Sequence, residues 1–206
     1  MRLVVISDTH FMHDRIAIPD ADMLVHCGDS LGHGTLEELD ELDRFLGTLP
    51  HEYKILVAGN HDWCFERDPE AARRLVRNAI YLEDAAVELG GTKFYGSPWQ
   101  PWFLDWAFNL ERGEPLREVW SKIPEDTEVL ITHGPPYGVC DRTLRGELVG
   151  CEQLLERVQR VKPKLHLFGH IHEGYGTVQT DETLFVNAST CDVRYRPINQ
   201  PIVLTI

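Results

Sequence analysis

Five short apolar runs, each cut off by residues with metal-binding side chains, constrain this chain more than any other feature. Arg2 to Ile6 runs into Ser7-Asp8-Thr9-His10, and Met23-Leu24-Val25 into His26-Cys27-Gly28-Asp29. Tyr53 to Ala58 ends in Gly59-Asn60-His61-Asp62, Glu128 to Ile131 in Thr132-His133-Gly134-Pro135-Pro136, and Lys164 to Phe168 in Gly169-His170-Ile171-His172. Near-continuous apolar runs of this length are the pattern of strands covered on both faces. Ligand sites of open α/β sheets lie beyond the carboxyl ends of their strands. Aligned, the five ends would gather Asp8, His10, Asp29, Asn60, His61, His133, His170 and His172 into one cluster. In a straight strand His170 and His172 share a face, and two neutral imidazoles held together are a ready pair of divalent-metal ligands. Any one end alone reads as an ordinary turn; five of them do not.

Between the runs the pattern changes to helices. Leu36, Leu39, Leu42 and Leu46 form one stripe from Thr35 to Leu46, with Thr35 as N-cap, Glu38 completing a capping box and Gly47 as the stop. Asp68-Pro69 opens a second helix reaching about Asn78; Leu116 to Lys122 and Cys151 to Val161 read as two more. Ile80 to Leu89 and Thr92 to Gly96 suggest a hairpin around Gly90-Gly91, and Pro98 to Asn109 an aromatic-rich loop. Gly176 to Thr180, Leu184 to Asn187 and Ile202 to Ile206 read as short closing strands. The expected fold is α/β, a layered β-sandwich flanked by helices, with residues 1–206 as a single domain.

Composition narrows the function. A net charge of −13 lacks the basic footprint of a binder of long nucleic acid. No apolar run approaches the ~20 residues that span a bilayer, so no membrane partner is expected. Met1 to Ile6 meets Ser7-Asp8 too early for a secretory h-region, and the five cysteines form no CxxC pair; together these lead to the expectation of a cytoplasmic protein with reduced thiols.

The order Asp-x-His, Gly-Asp, Gly-Asn-His-Asp, Thr-His-Gly and Gly-His-x-His, from Asp8 to His172, resembles the calcineurin-like metallophosphoesterase superfamily. Thr132-His133-Gly134-Pro135-Pro136, Pro98-Trp99-Gln100-Pro101-Trp102-Phe103 and Asn187-Ala188-Ser189-Thr190-Cys191 are similar, within it, to the metallophosphoesterase-domain-containing proteins of animals and their bacterial relatives. Some animal members carry glycine where this chain has His170. The resemblance implies two divalent metals. Asp8, His10 and His172 would hold the first, Asn60, His133 and His170 the second, and Asp29 would bridge them. Cations ~3.5–4 Å apart need such a carboxylate between them. The nitrogen and oxygen donors favour Mn²⁺ or Fe and permit Zn²⁺, Ni²⁺ or Co²⁺.

The implied activity is hydrolysis of small phosphodiesters, such as cyclic nucleotides, through a metal-bridging hydroxide. His61, unligated, would donate a proton to the leaving oxygen, with Asp62 either orienting its ring or raising its pKa, or else capping a helix. A phosphomonoesterase or protein phosphatase, and a nucleotide-binding regulator with little turnover, are the alternatives. Among Trp99, Trp102, Phe103, Trp106 and Phe108, a satellite core competes with a wall for a nucleobase, Trp99 being the candidate contact. Arg142 and Arg194 are the arginines singled out for a phosphate, against Arg145 and Arg196 and against surface ion pairing for most of them. His13 and His33 read as groups near the ligand loops, His26 and His166 as buried structure. Asn187-Ala188-Ser189, a sequon in form, reads as a strand end. The sequence does not set the oligomeric state.

Overall fold

A computed structural model describes residues 1–206. The apolar runs form two sheets that pack face to face. In the first, β1 (Arg2–Ile6), β2 (Met23–His26), β3 (Tyr53–Leu56) and β4 (Ile80–Tyr81) run parallel, and β13 (Ile202–Thr205) adds antiparallel to β1. In the second, β6 (Thr92–Ser97), β9 (Val129–Thr132), β10 (Leu165–Phe168) and β12 (Leu184–Asn187) run parallel. β5 (Ala85–Leu89) and β11 (Gly176–Gln179) are its antiparallel edges.

Alternation along each strand sorts the core into layers. Leu3, Val5, Met23, Val25 and Ile55 of the first sheet meet Phe94, Val129, Ile131, Leu167 and Val186 of the second in a central layer. The alternate residues Val4, Ile6, Leu24 and Leu56 face outward onto Leu39, Leu42 and Leu46 of α1 (Leu36–Thr48). On the other side Tyr95, Leu130, Phe168 and Phe185 face Leu116 and Trp120 of α4 (Glu114–Ser121) and Leu154 and Val158 of α5 (Glu152–Val161). The central strands β1, β2, β9 and β10 are therefore covered on both faces, which is why they are near-continuously apolar, whereas the edge strands β5, β11 and β13 expose alternate or most residues. The layered α/β sandwich expected from the sequence is present.

Several local expectations shift. Thr35 does cap α1, accepting from Glu38 N–H at 3.2 Å, but the Glu38 carboxylate turns away to accept from the N–H groups of Gly32, His33 and Gly34. Gly47 does not end the helix, which continues to Thr48. The expected 68–78 helix is α3 (Pro69–Leu75), preceded by the single turn α2 (Cys64–Arg67). The run 80–89 divides between the sheets: β4 belongs to the first, β5 to the second, and Asp84 turns the chain between them with φ +49°. Inside the aromatic loop, β7 (Gln100–Pro101) pairs with β8 (Asn109–Leu110). No helix is long and apolar enough to cross a membrane.

Candidate metal centre

All five strand ends meet at one edge of the sandwich. Asp8 and His10 follow β1, Asp29 follows β2, and Asn60 and His61 follow β3. His133 follows β9, and His170 and His172 follow β10. Their donor atoms form three overlapping groups, each with all atoms within 4.8 Å of one another: Asp8, His10 and His172; His10, Asp29 and His61; Asp29, His133 and His170. Asn60 joins the third through Oδ1, 2.9 Å from His133 Nε2.

Backbone geometry makes this convergence possible. Asp8, His10, Asp29 and His170 all adopt positive φ, between +44° and +67°. That region is unfavourable for residues with a Cβ, and such strain persists only where the surroundings enforce it. Gly169 enforces part of it: a Cβ there would lie 2.1 Å from both Asp8 Oδ2 and Ser7 Oγ, so only glycine lets the β10 turn approach β1.

The ring tautomers can be read from their outer partners. His133 Nδ1 faces Cys27 O at 3.1 Å, His172 Nδ1 faces Asp192 O at 2.9 Å and His61 Nδ1 faces Gly32 O at 3.2 Å. A carbonyl only accepts, so each Nδ1 carries the proton and each Nε2 is left for the site. His10 Nε2 then lies 3.3 Å from His172 Nε2, which is 3.3 Å from Asp8 Oδ1; His133 Nε2 lies 3.4 Å from Asp29 Oδ1. Lone pairs aimed at one another repel unless a proton or a cation stands among them. The donor set therefore fits a pair of divalent cations, in N/O chemistry without thiolate.

Charge tells the same story. Burial pushes His10 down to about 4 and His170 down to about 3. Burial also opposes charge on His133 and His172, yet the carboxylates beside them, Asp29 and Asp8 respectively, overcome it and push both up to about 9. With no cation present, protons occupy those two nitrogens.

A second set of side chains holds the donors in place. Asp8 Oδ2 accepts from Ser189 Oγ and from His170 N–H, both at 2.9 Å. Asn187 Nδ2 donates to Ile171 O at 2.9 Å and its Oδ1 accepts from Ser189 N–H at 3.0 Å, so the sequon-like stretch is a buried brace at the end of β12. Asp62 neither orients His61 nor caps a helix. Fully buried, it accepts from Gly59 N–H at 2.7 Å, Leu31 N–H at 2.9 Å and Ser30 Oγ at 3.2 Å, tying the β2 and β3 ends together. Burial, with repulsion from Asp29, pushes its carboxyl up to about 6.

The polar chamber over these residues encloses about 290 Å³ and is walled by Phe103, Trp106, Val193 and Tyr195. Trp106 stacks on His61 with ring centroids 4.2 Å apart, and Tyr195 meets His10 edge-on at 4.6 Å. Tyr195 escapes sequence reading, since nothing in its neighbourhood marks it. The three expected substrate contacts are placed elsewhere. Trp99 donates its Nε1–H to Asp84 Oδ2 at 3.2 Å and packs on Phe108, lining no part of the chamber. Arg142 donates to Gly146 O of its own loop, and Arg194 is exposed outside the chamber. Arg196 pairs with Asp192, as expected of a surface arginine. His13 is buried against Phe45, and His33 is exposed.

A β-sandwich that brings histidines, carboxylates and an asparagine from five strand ends to one edge is the construction of a metal-dependent hydrolase. The comparisons give the family. The family model of calcineurin-like phosphoesterases matches residues 1–174. Human metallophosphoesterase domain-containing protein 1 is 44% identical over 230 residues, covering 100% of this chain and 71% of that protein. A UPF0046 protein of Caenorhabditis elegans, K07C11.7, is 37% identical over 100% of this chain and 75% of its own length. Among solved structures, TT1561 of Thermus thermophilus shares the fold with a TM-score of 0.60 at 14% identity, over 91% of this chain and 88% of that one. The chain belongs to the calcineurin-like phosphoesterase family, whose members are phosphoester hydrolases that generally bind two metals.

Proposed function

We propose that this chain is a metal-dependent phosphodiesterase acting on small phosphodiesters, cyclic nucleotides among them. The observation that carries the reading is the row of three donor groups, the first and second sharing His10 and the second and third sharing Asp29. Asp8, His10 and His172 would hold one cation, Asn60, His133 and His170 the other, with Asp29 reaching both. Manganese is the first choice for these donors, with Fe, Zn, Ni and Co also compatible. When bound, the cations supply Lewis acidity that lowers the pKa of water and offsets charge on the phosphoryl group.

The chain's own residues do the rest. Ser189 and His170 N–H fix Asp8. Asp62 fixes the turn that presents Asn60. His61 delivers a proton to the leaving oxygen, its ring held by Gly32 O and by Trp106. A chamber of about 290 Å³ suits a small ester, and the net charge of −13 works against long nucleic acid. Free cysteines, four of the five buried, suit a reducing compartment such as the cytoplasm.

The test strips metal with chelator, restores Mn²⁺, and compares bis(p-nitrophenyl) phosphate with p-nitrophenyl phosphate. Diester turnover well above monoester turnover is expected. Preference for the monoester would replace the proposal with a phosphomonoesterase, and tight nucleotide binding without hydrolysis would replace it with a regulator.

A further inference from the structure

A second chamber of about 320 Å³ opens beside the metal centre, a size within the range of roughly 300–1,000 Å³ of small-molecule sites. Trp102, Phe103, Pro135, Val149 and Ile171 supply its apolar lining. Phe103, His170 and Glu173 line both chambers, so the two share a doorway. His61, Trp106 and Tyr195 line only the metal chamber.

We infer that this apolar chamber holds the ester substituent that stays on phosphorus, and that its occupant is an uncharged flat ring. The inference rests on the phosphodiesterase reading and assigns the two halves of the substrate. In an in-line displacement the attacking and leaving oxygens lie on opposite sides of phosphorus. The leaving oxygen belongs beside its proton donor, His61. A substituent on the His170 side is therefore not the leaving group. A monoester has one substituent, which departs, so it gains nothing from this chamber; a diester does.

The charges around the chamber define the occupant further. Arg112 lines it, but its guanidinium is committed: Nη1 donates to Gly150 O and Nη2 to Val149 O, both at 2.8 Å, and it pairs with Glu152. It braces the wall and is not placed as a phosphate clamp. The other charged lining residue is Glu173, whose Oε1 accepts from Leu144 N–H at 3.0 Å. A carboxylate at the doorway repels a second phosphate. Exposed Trp102 and Phe103 offer faces on which a ring stacks.

The experiment holds the leaving group constant. Phenyl p-nitrophenyl phosphate and methyl p-nitrophenyl phosphate both release p-nitrophenolate and differ only in what remains. The Mn²⁺-loaded protein is expected to show a KM about tenfold lower for the phenyl diester, from burial of the ring. Val149→Trp, which fills the chamber, and Phe103→Ala, which removes part of the apolar lining, should each bring that ratio towards one. Phe103 is 56% exposed, so its truncation does not threaten the fold. In parallel, phenylphosphonate and methylphosphonate, which carry no ester bond, are titrated calorimetrically into the same proteins, with the same preference and the same loss expected. A wild-type ratio near one, or a ratio unmoved by both variants, overturns the inference. A preference between the phosphonates with no turnover of either diester keeps the chamber assignment and removes the phosphodiesterase reading.

Discussion

His61 is held on three sides: its N–H donates to Asp29 Oδ1 at 2.8 Å, its Nδ1 faces Gly32 O, and its ring lies against Trp106. It needs no metal to keep its place, which suits a proton donor whose position must not vary with loading. His61→Ala is expected to retain bound metal, read by elemental analysis. Its turnover of an alkyl phosphodiester should drop by about 10²–10⁴, while p-nitrophenyl esters, whose leaving groups need little protonation, lose far less. Equal losses on both substrates would mean that His61 positions or ligates and does not donate. At this scale the donors themselves were legible, because each ends an apolar run and carries a metal-binding group. Their supports were not. Ser189 acts through its hydroxyl on the Asp8 carboxylate, and Asn187 and Asp62 act through backbone groups brought near by the fold; a serine or an asparagine at a strand end looks the same whether or not it does this. Trp99 misled for the converse reason: it lies in an aromatic cluster, but its N–H is satisfied by Asp84, an acid 15 residues earlier in the chain.

Each sheet carries a histidine–threonine pair close to the site, the threonine lying in the turn after β1 in one and at the end of β9 in the other. His26 Nε2 lies 2.9 Å from Thr9 Oγ1 in the first sheet, and His166 Nε2 lies 2.9 Å from Thr132 Oγ1 in the second. Thr132 Oγ1 also donates to Gly134 O at 2.7 Å, so its lone pair receives the His166 N–H. His166 is fully buried, and burial pushes it down to about 3 from the ordinary 6.5. An unfolded chain therefore binds a proton there, between those values, that the folded protein refuses. The contribution to stability is complete above about pH 6.5 and is lost as pH falls towards 3, with a slope of about 1.4 kcal/mol per pH unit. His166→Asn, neutral throughout, should flatten the stability–pH curve by about that slope between roughly pH 4 and 6 in urea unfolding. Identical slopes for the two proteins would show that His166 is not held neutral. Strand positions were legible because period-two burial on both faces leaves an unbroken apolar run. The end of α1 was not. Gly47 resembles a helix stop, but a Cβ there would come within 3.1 Å of the Asn78 side chain, so glycine is there to let a neighbouring segment pack. That segment is tied to α1 by Asp43, a buried acid on the apolar stripe that accepts from Arg77 N–H at 2.7 Å and Asn78 N–H at 2.8 Å. Similarly, the run 80–89 looks like one strand because both sheets demand the same residue types.

Over the whole molecule, the candidate ligands are divided between the two sheets. Asp8, His10, Asp29 and Asn60 extend from the first sheet; His133, His170 and His172 extend from the second. The sheets are already joined near this edge by Thr190 N–H donating to Ser7 O at 2.8 Å and by Gly169 seated against Ser7. Cations bound here would cross-link the layers at the edge where strained turns hold like donors together. Loading should therefore stabilise the fold as a unit, since a ligand that binds only the native state adds about 2.7 kcal/mol at a hundredfold excess over Kd. For a chain of this length that corresponds to a rise in Tm of roughly 5–10 °C. Adding Mn²⁺ to chelator-treated protein should produce this shift, and His172→Ala, which removes a donor from the second sheet, should lose much of it. Hydrogen exchange decides whether the cross-link is real. Slowed exchange is expected in the turns after β1, β2 and β3 and equally in those after β9 and β10. Protection confined to the first sheet would mean that the metal is held by one layer alone, and the two-sheet centre would have to be abandoned even if the protein bound manganese tightly.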